Sequence, residues 1–202
     1  MSVIVLVSPL AKRIPIIEDA VYAGIDAGAL RCMEQGIPMV FALGDFDTAK
    51  DGSLPEIETQ TECLKLPSHK DETDMESAFL EARRRGYDKI ILYGVLQGRF
   101  DHTMANLYLL LYRDPSIVLM DECNRVQVLG EGTYLIEKRY TYLSFLALED
   151  CCISEKGVAY PVDHKMITTS DILTVSNEIV NGKAVITIHK GKVLMIESED
   201  PR

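Results

Sequence analysis

Through the first half of the chain, short apolar runs alternate with longer stretches whose apolar residues recur every three or four positions. Val3–Val7, Ala20–Ile25, Met39–Leu43, Lys89–Tyr93 and Ile117–Met120 each have the length and character of a buried strand. Between them, Ala27–Gln35, Asp74–Arg85 and Asp101–Tyr112 have helical spacing. Strands separated by helices predict an α/β fold: a mostly parallel sheet with flanking helices. The Asp74–Arg85 stretch is the best bounded. Thr73 is a good N-cap with Glu76 three residues on, a capping-box pattern, and Met75, Ala78, Phe79 and Ala82 follow at helical spacing. Three arginines precede Gly86, where they suit the negative end of the helix dipole.

Near residue 125 the pattern changes to short strands and turns. Arg125–Leu129, Thr133–Glu137, Tyr142–Leu148, Asp171–Val175, Ala184–His189 and Val193–Glu197 read as strands. Gly130, Gly132, Asn181–Gly182 and Lys190–Gly191 supply turn residues beside them. With no helical stretch left, residues 125–202 read as a C-terminal all-β sandwich domain following an α/β domain over residues 1–124.

Candidate chemistry gathers where strands end. Gly44-Asp45-Phe46-Asp47-Thr48 follows an apolar strand directly, and ligands of open parallel sheets bind beyond the carboxyl ends of strands. Two carboxylates two residues apart can reach one cation, although a lone D-x-D reads more readily as a solvated capping turn. Asp71–Glu76 is explained by helix capping alone. Tyr93–His102 runs from a strand through Gly94 and Gly98 to a helix opening at Asp101, with Asn106 one turn further on. Backbone N–H groups at such a helix start, with Arg99 as a charged fork, suit phosphate. It is not a P-loop, since no G-K-[ST] closes it. If the sheet gathers Asp45, Asp47, Asp74 and Asp101, their mutual repulsion calls for a cation. An all-oxygen set of this kind favours Mg²⁺, completed by waters and substrate phosphates. Phosphoryl transfer needs such a metal, positioned groups and a cationic donor.

Charge and composition narrow the classes. A net charge of -10, from 21 basic and 31 acidic residues, repels phosphate backbones and anionic lipid, so neither nucleic-acid nor membrane binding is expected. No apolar run approaches the ~18–20 residues of a membrane span, and Lys12 and Arg13 follow rather than precede the first apolar run, unlike a secretion signal. A cytoplasmic location is expected. The five cysteines form no C-x-x-C pair and read as reduced thiols.

Taken in order, these segments resemble the signatures of thiamin pyrophosphokinases. Gly44–Thr48 is similar to the family's G-D-x-D-[ST], and Asp71–Glu76 to its D-x-T-D-x-E. Gly94–Asn106 is similar to G-x-x-G-x-R-x-D-H-x-x-x-N, Ser176-Asn177-Glu178 to S-N-E, and Asp26-Ala27-Gly28-Ala29 to an early D-x-G-A element. The resemblance implies transfer of pyrophosphate from ATP to the hydroxyl of thiamin, giving thiamin diphosphate and AMP. It implies a homodimer with shared active sites. Asp45, Asp47, Asp74 and Asp101 would then serve Mg²⁺ and the ATP phosphates, and Arg99 the reacting group. Asp26, Gly28, Thr73, Gln97, Gly98, His102 and Asn106 would line the ATP site. Tyr160, Ser176 and Asn177 would hold thiamin, Tyr160 by stacking on a ring; as a residue it reads equally as a strand-face tyrosine. Gln97 stands where the family has a small residue, which would narrow the loop beside ATP. No residue is assigned as the general base.

Two other readings compete. A strand feeding Asp45-Phe46-Asp47 is also found in phosphatases of the haloacid-dehalogenase type, but those want Thr or Val where this chain has Ala49, and the β-rich half has no place in them. A sensing module that binds nucleotide or thiamin without turnover would be marked by lost carboxylates, and all four are present.

Overall fold

The computed structural model describes residues 2–46, 53–67 and 71–201. It divides into two compact units, Met1–Glu122 and Cys123–Arg202.

The first unit is built on six strands: β1 (Val3–Val7), β2 (Ala20–Ile25), β3 (Met39–Gly44), β4 (Cys63–Lys65), β5 (Lys89–Tyr93) and β6 (Val118–Met120). They lie in the order β4-β3-β2-β1-β5-β6, and every pairing is parallel. Parallel strands are covered on both faces, which is why these runs are continuously apolar rather than alternating. Val5, Val7, Ile91, Tyr93 and Val118 pack on one face with Cys32. Ile4, Leu6, Ile90 and Leu92, the alternate positions, are fully buried as well. Helix α1 (Gly28–Glu34) lies against β1, β2 and β3, and α3 (Asp74–Arg84) against β1, β2, β3 and β5. Helices α2 (Ser53–Gln60) and α4 (Phe100–Tyr108) complete the unit. Strand order runs outward from β1 in one direction through β4 and in the other through β5. The sheet therefore has a switch point between β1 and β5, the place where open α/β sheets open a crevice.

The second unit contains β7 (Asn124–Leu129), β8 (Gly132–Glu137), β9 (Tyr142–Ala147), β10 (Cys151–Lys156), β11 (Val162–Ile167), β12 (Lys183–Lys190) and β13 (Val193–Ser198). These strands pair antiparallel as β7-β13-β9 and as β11-β10-β12-β8. Leu143, Phe145 and Met195 of one layer share a core with Cys151, Ile153, Ile186 and Ile188 of the other, which makes the expected sandwich.

The elements differ from the sequence pattern in several places. Asp171–Val175 forms no strand: Ile172 and Leu173 face solvent, and the segment is tied down by the Thr174 hydroxyl, which donates to the Phe145 carbonyl at 2.6 Å. The helix expected over Asp101–Tyr112 is α-helical only to Tyr108, and Leu109–Arg113 forms a π-helical turn. Elements α2, β4, β10 and β11 have no counterpart among the elements expected from the sequence.

Candidate active site

The carboxyl ends of β1 and β5 open into a cleft of about 360 Å³ at the switch point. Its walls come from the segment after β1 (Ser8, Pro9 and Leu10), from Asp26 after β2, from Thr73 and Asp74 at the start of α3, and from the glycine loop after β5. Gln97, Arg99, His102 and Asn106 line it as well, while Gly28 and Gly98 do not.

Close approaches explain why glycines stand here. A Cβ on Gly28 would lie 2.0 Å from the Val7 carbonyl oxygen, so the start of α1 reaches the end of β1 only without a side chain. Gly94 has φ +77°, and a Cβ there would come within 2.8 Å of both the Ala11 nitrogen and the Ser8 Oγ.

Asp26 is the centre of the acidic cluster. Its backbone is left-handed, at φ 48°, an uncommon conformation for a non-glycine residue and one that turns the carboxyl into the cleft wall. Its Oδ1 is buried and has no hydrogen-bond partner among the described residues. A Cβ on Gly44 would sit 1.9 Å from that oxygen, so the glycine before Asp45 is the space Asp26 occupies. Burial first, then the Asp74 charge, a hydrogen bond shared with Asp74 and the Asp45 charge push the Asp26 carboxyl up to about 7, against a smaller opposing hydrogen bond from the Phe46 N–H. Three carboxyl groups therefore act on one another at this place, and their excess negative charge calls for a proton or a cation. Phe46, which separates Asp45 from Asp47, is also left-handed, at φ 55°. Asp47 itself lies outside the described residues.

Among the described residues no three His, Cys, Asp or Glu side chains are arranged to hold a metal by themselves. Magnesium does not require that, since it keeps several waters and uses one or two carboxylates together with substrate phosphates. The orphaned Asp26 oxygen and the all-oxygen donor set fit such an ion. The resemblance placed Asp26 near ATP, but the carboxylate group read from the sequence did not include it. The D-x-G-A element was the available signal.

Thr73 and Asp101 occupy different settings. The Thr73 hydroxyl caps α3 by accepting from the Glu76 N–H at 3.1 Å. The Glu76 carboxylate pairs with Arg113 at 2.8 Å, a partner the capping pattern did not foresee. Asp101 stands apart from the acidic cluster. Its two oxygens take both prongs of the Arg99 guanidinium, at 3.1 and 2.6 Å, and Oδ1 also accepts from the His102 N–H. Both side chains of this pair are largely exposed, 74% and 63%, so water screens it and a polyphosphate could compete for the guanidinium. Gln97 turns away from the centre of the cleft and donates to the Leu10 carbonyl at 3.1 Å and to Glu122 at 3.3 Å.

In the second unit, the Tyr160 side chain is 75% exposed while its backbone is clasped by Asn177. The Asn177 Oδ1 accepts from the N–H groups of Tyr160 and Glu178, both at 3.0 Å. Its Nδ2 donates to the Tyr160 carbonyl at 3.0 Å and to Glu155 at 2.9 Å. All four hydrogen-bonding positions of the amide are thus used inside the unit, and Asn177 is buried. Ser176 is left-handed, at φ 60°, with its N–H held by the Ser144 hydroxyl. Glu155 is 1% exposed, and burial pushes its carboxyl up to about 7 despite the Asn177 hydrogen bond. Nothing in the sequence pattern singled it out.

Comparison with known proteins identifies a family. The profile described as "Thiamin pyrophosphokinase, catalytic domain" matches residues 16–120, and that described as "Thiamin pyrophosphokinase, vitamin B1 binding domain" matches residues 133–193. The chain is 31% identical over 191 residues to a thiamine pyrophosphokinase of Bacillus subtilis, covering 91% of this chain and 89% of the relative. A crystal structure of thiamine pyrophosphokinase from Bacillus subtilis superposes with a TM-score of 0.86 at 29% identity, covering 99% of this chain and 100% of the other. A thiamin pyrophosphokinase family protein from Enterococcus faecalis superposes with a TM-score of 0.85 at 26% identity, and both chains are covered completely.

Proposed function

The chain belongs to the thiamin pyrophosphokinase family, and from that premise we propose that the switch-point cleft is where it transfers pyrophosphate from ATP to the hydroxyl of thiamin, leaving AMP. The observation that carries this reading is the meeting of Asp26 and Asp74 in the cleft wall, with the Asp45 charge acting on Asp26 and a buried Asp26 oxygen that has no hydrogen-bond partner among the described residues. Neither a phosphatase of the haloacid-dehalogenase type nor a sensing module finds support in the comparisons.

In the reaction the thiamin hydroxyl oxygen bonds to the β-phosphorus of ATP and the bond from that phosphorus to the oxygen of the AMP phosphate breaks. The hydroxyl proton leaves, and AMP carries away the bonding pair as a phosphate oxyanion. Asp26, Asp45 and Asp74, with Asp47, are the residues that would hold Mg²⁺, and Asp101, paired with Arg99 apart from them, would join only once that pair opens. That ion, when bound, neutralises charge on the phosphate oxygens. Arg99 faces the same cleft, and its planar fork can exchange the Asp101 carboxylate for phosphate oxygens, which suits it to the charge that builds as the bond breaks. Thr73 fixes the start of α3, and with it Asp74. His102 and the buried Asn106 complete the wall on the α4 side, where they orient the nucleotide. For thiamin, the exposed Tyr160 ring offers a stacking face and the strained Ser176 turn lies next to Asn177 in sequence. The protein acts as a homodimer with shared active sites and in the cytoplasm. No helix among the described residues is long and apolar enough to cross a membrane, and all five cysteines are free thiols, as that location requires.

The direct test is AMP release from ATP with and without thiamin. The reading expects AMP only when thiamin and Mg²⁺ are both present. Thiamin-independent release of inorganic phosphate would point instead to a hydrolase.

A further inference from the structure

The cleft has two walls that belong to distant parts of the chain, the segment after β1 and the glycine loop after β5, and a residue outside the cleft fastens both. That residue is Glu122, two positions past the end of β6. Its Oε1 accepts the backbone N–H groups of Lys12 at 2.8 Å and Arg13 at 3.1 Å. Its Oε2 accepts from the Gln97 side-chain amide at 3.3 Å, and the same Gln97 nitrogen donates to the Leu10 carbonyl at 3.1 Å. Leu10 and Gln97 line the cleft, whereas Glu122 does not. The two walls also meet directly. The Ser8 hydroxyl donates to the Gly94 carbonyl at 2.6 Å, and a Cβ on Gly98 would strike the Leu10 side chain at 2.6 Å.

We propose that Glu122 is a positioning residue of the nucleotide site, a carboxylate that fixes the spacing between the β1 segment and the glycine loop through Lys12, Arg13 and Gln97. The reasoning is geometric. The connection from β1 to β2 has no helix to brace it, and its first residues form a cleft wall. Two backbone N–H groups and one amide on a single carboxylate are three charge-assisted bonds converging from both walls. The half-buried carboxylate is costly to desolvate, but these bonds, together with one from its own backbone N–H, outweigh that cost and hold it below the ordinary glutamate range. The arrangement also gives Gln97 a purpose: its side chain, in the glycine loop, ties that loop to Leu10 and Glu122.

The inference rests on the reading of this cleft as the nucleotide site. The test measures steady-state constants for both substrates, ATP affinity by calorimetry and the melting temperature, for the wild type, Glu122→Ala and Glu122→Gln. Glu122→Gln keeps an oxygen for the Lys12 and Arg13 N–H groups but turns an amide toward Gln97, so it cuts one arm only. Glu122→Ala is expected to raise KM and Kd for ATP about tenfold, the scale of one bond to a charged group. KM for thiamin should stay within about twofold, and Glu122→Gln should fall between the wild type and Glu122→Ala. ATP constants unchanged within about twofold in both variants would overturn the proposal. So would ATP and thiamin constants rising together with a large loss of melting temperature, the signature of a merely structural residue. If Glu122→Ala does not fold, the milder Glu122→Gln still decides by its ATP constants. A wild type that binds ATP but does not turn over would refute the function and leave the calorimetric comparison standing.

Discussion

At the scale of single residues, two buried carboxyls carry the chemistry and the stability in opposite ways. Asp26 is set among like charges, a cost that the proposed cation would offset. Glu155 is buried in the sandwich, where it accepts a hydrogen bond from Asn177. Its folded-state value, about 7, is above the ordinary 4.5, so the folded protein holds the proton more tightly than the unfolded chain does. Stability therefore falls as pH rises from about 4.5 to about 7, and the full penalty persists above that. Glu155→Gln removes the charge and keeps an oxygen for Asn177. It should melt near the wild type at pH 5 and higher at pH 8 by at least about 2 °C, the change that ~1 kcal/mol makes in a chain of this size. A difference that is the same at both pH values would show that Glu155 is not penalised by its charge. Such residues are hard to read from sequence. Asp26 and Glu155 look like ordinary acidic positions until the fold removes their water.

At the scale of elements, what was legible depended on how apolar an element is along its own length. Strands β1, β2, β3 and β5 are buried on both faces and stand out as unbroken runs, and α3 announces itself through Thr73 and its apolar stripe. Strand β10 escapes because it buries Ser154 and Glu155, whose hydrogen bonds are invisible in a one-dimensional pattern. Strand β11 escapes because most of it faces solvent. Helix α2 has Pro55 in its first turn and few apolar residues, and β4 is three residues long. In the opposite sense, Asp171–Val175 has β-like composition but is tied to Phe145 at Thr174 alone, by one backbone and one side-chain bond, rather than by a ladder. The glycines belong to this scale too. Gly28 lets α1 begin against the end of β1, and because the obstacle is the Val7 carbonyl, Gly28→Ala must move backbone. A cost of about 3 kcal/mol is expected, the upper end for overpacking. It should read as a melting temperature lower by about 6–12 °C. A loss below about 2 °C would mean the helix start can shift freely.

At the scale of the whole molecule, the segments that resemble a family are scattered in sequence, yet residues from three of them, Asp26, Thr73 and Asp74, and Gln97, Arg99, His102 and Asn106, line one cleft where strand order reverses. That convergence explains why the ordered motifs were informative while each alone read as a cap or a turn. The resemblance also implied that the protein pairs with itself, so sedimentation should give about twice the 22.6 kDa chain mass. A monomer with full activity would contradict a shared site. The central claim is that the carboxylates at the switch point serve pyrophosphate transfer, and phosphorus NMR of ATP, thiamin and Mg²⁺ with enzyme tests it most directly. The wild type should produce AMP and thiamin diphosphate in equal amounts with no ADP, and a folded Asp26→Asn variant should do so slower by about 10²-fold or more. Accumulation of ADP, or a folded Asp26→Asn protein working at the wild-type rate, would contradict it.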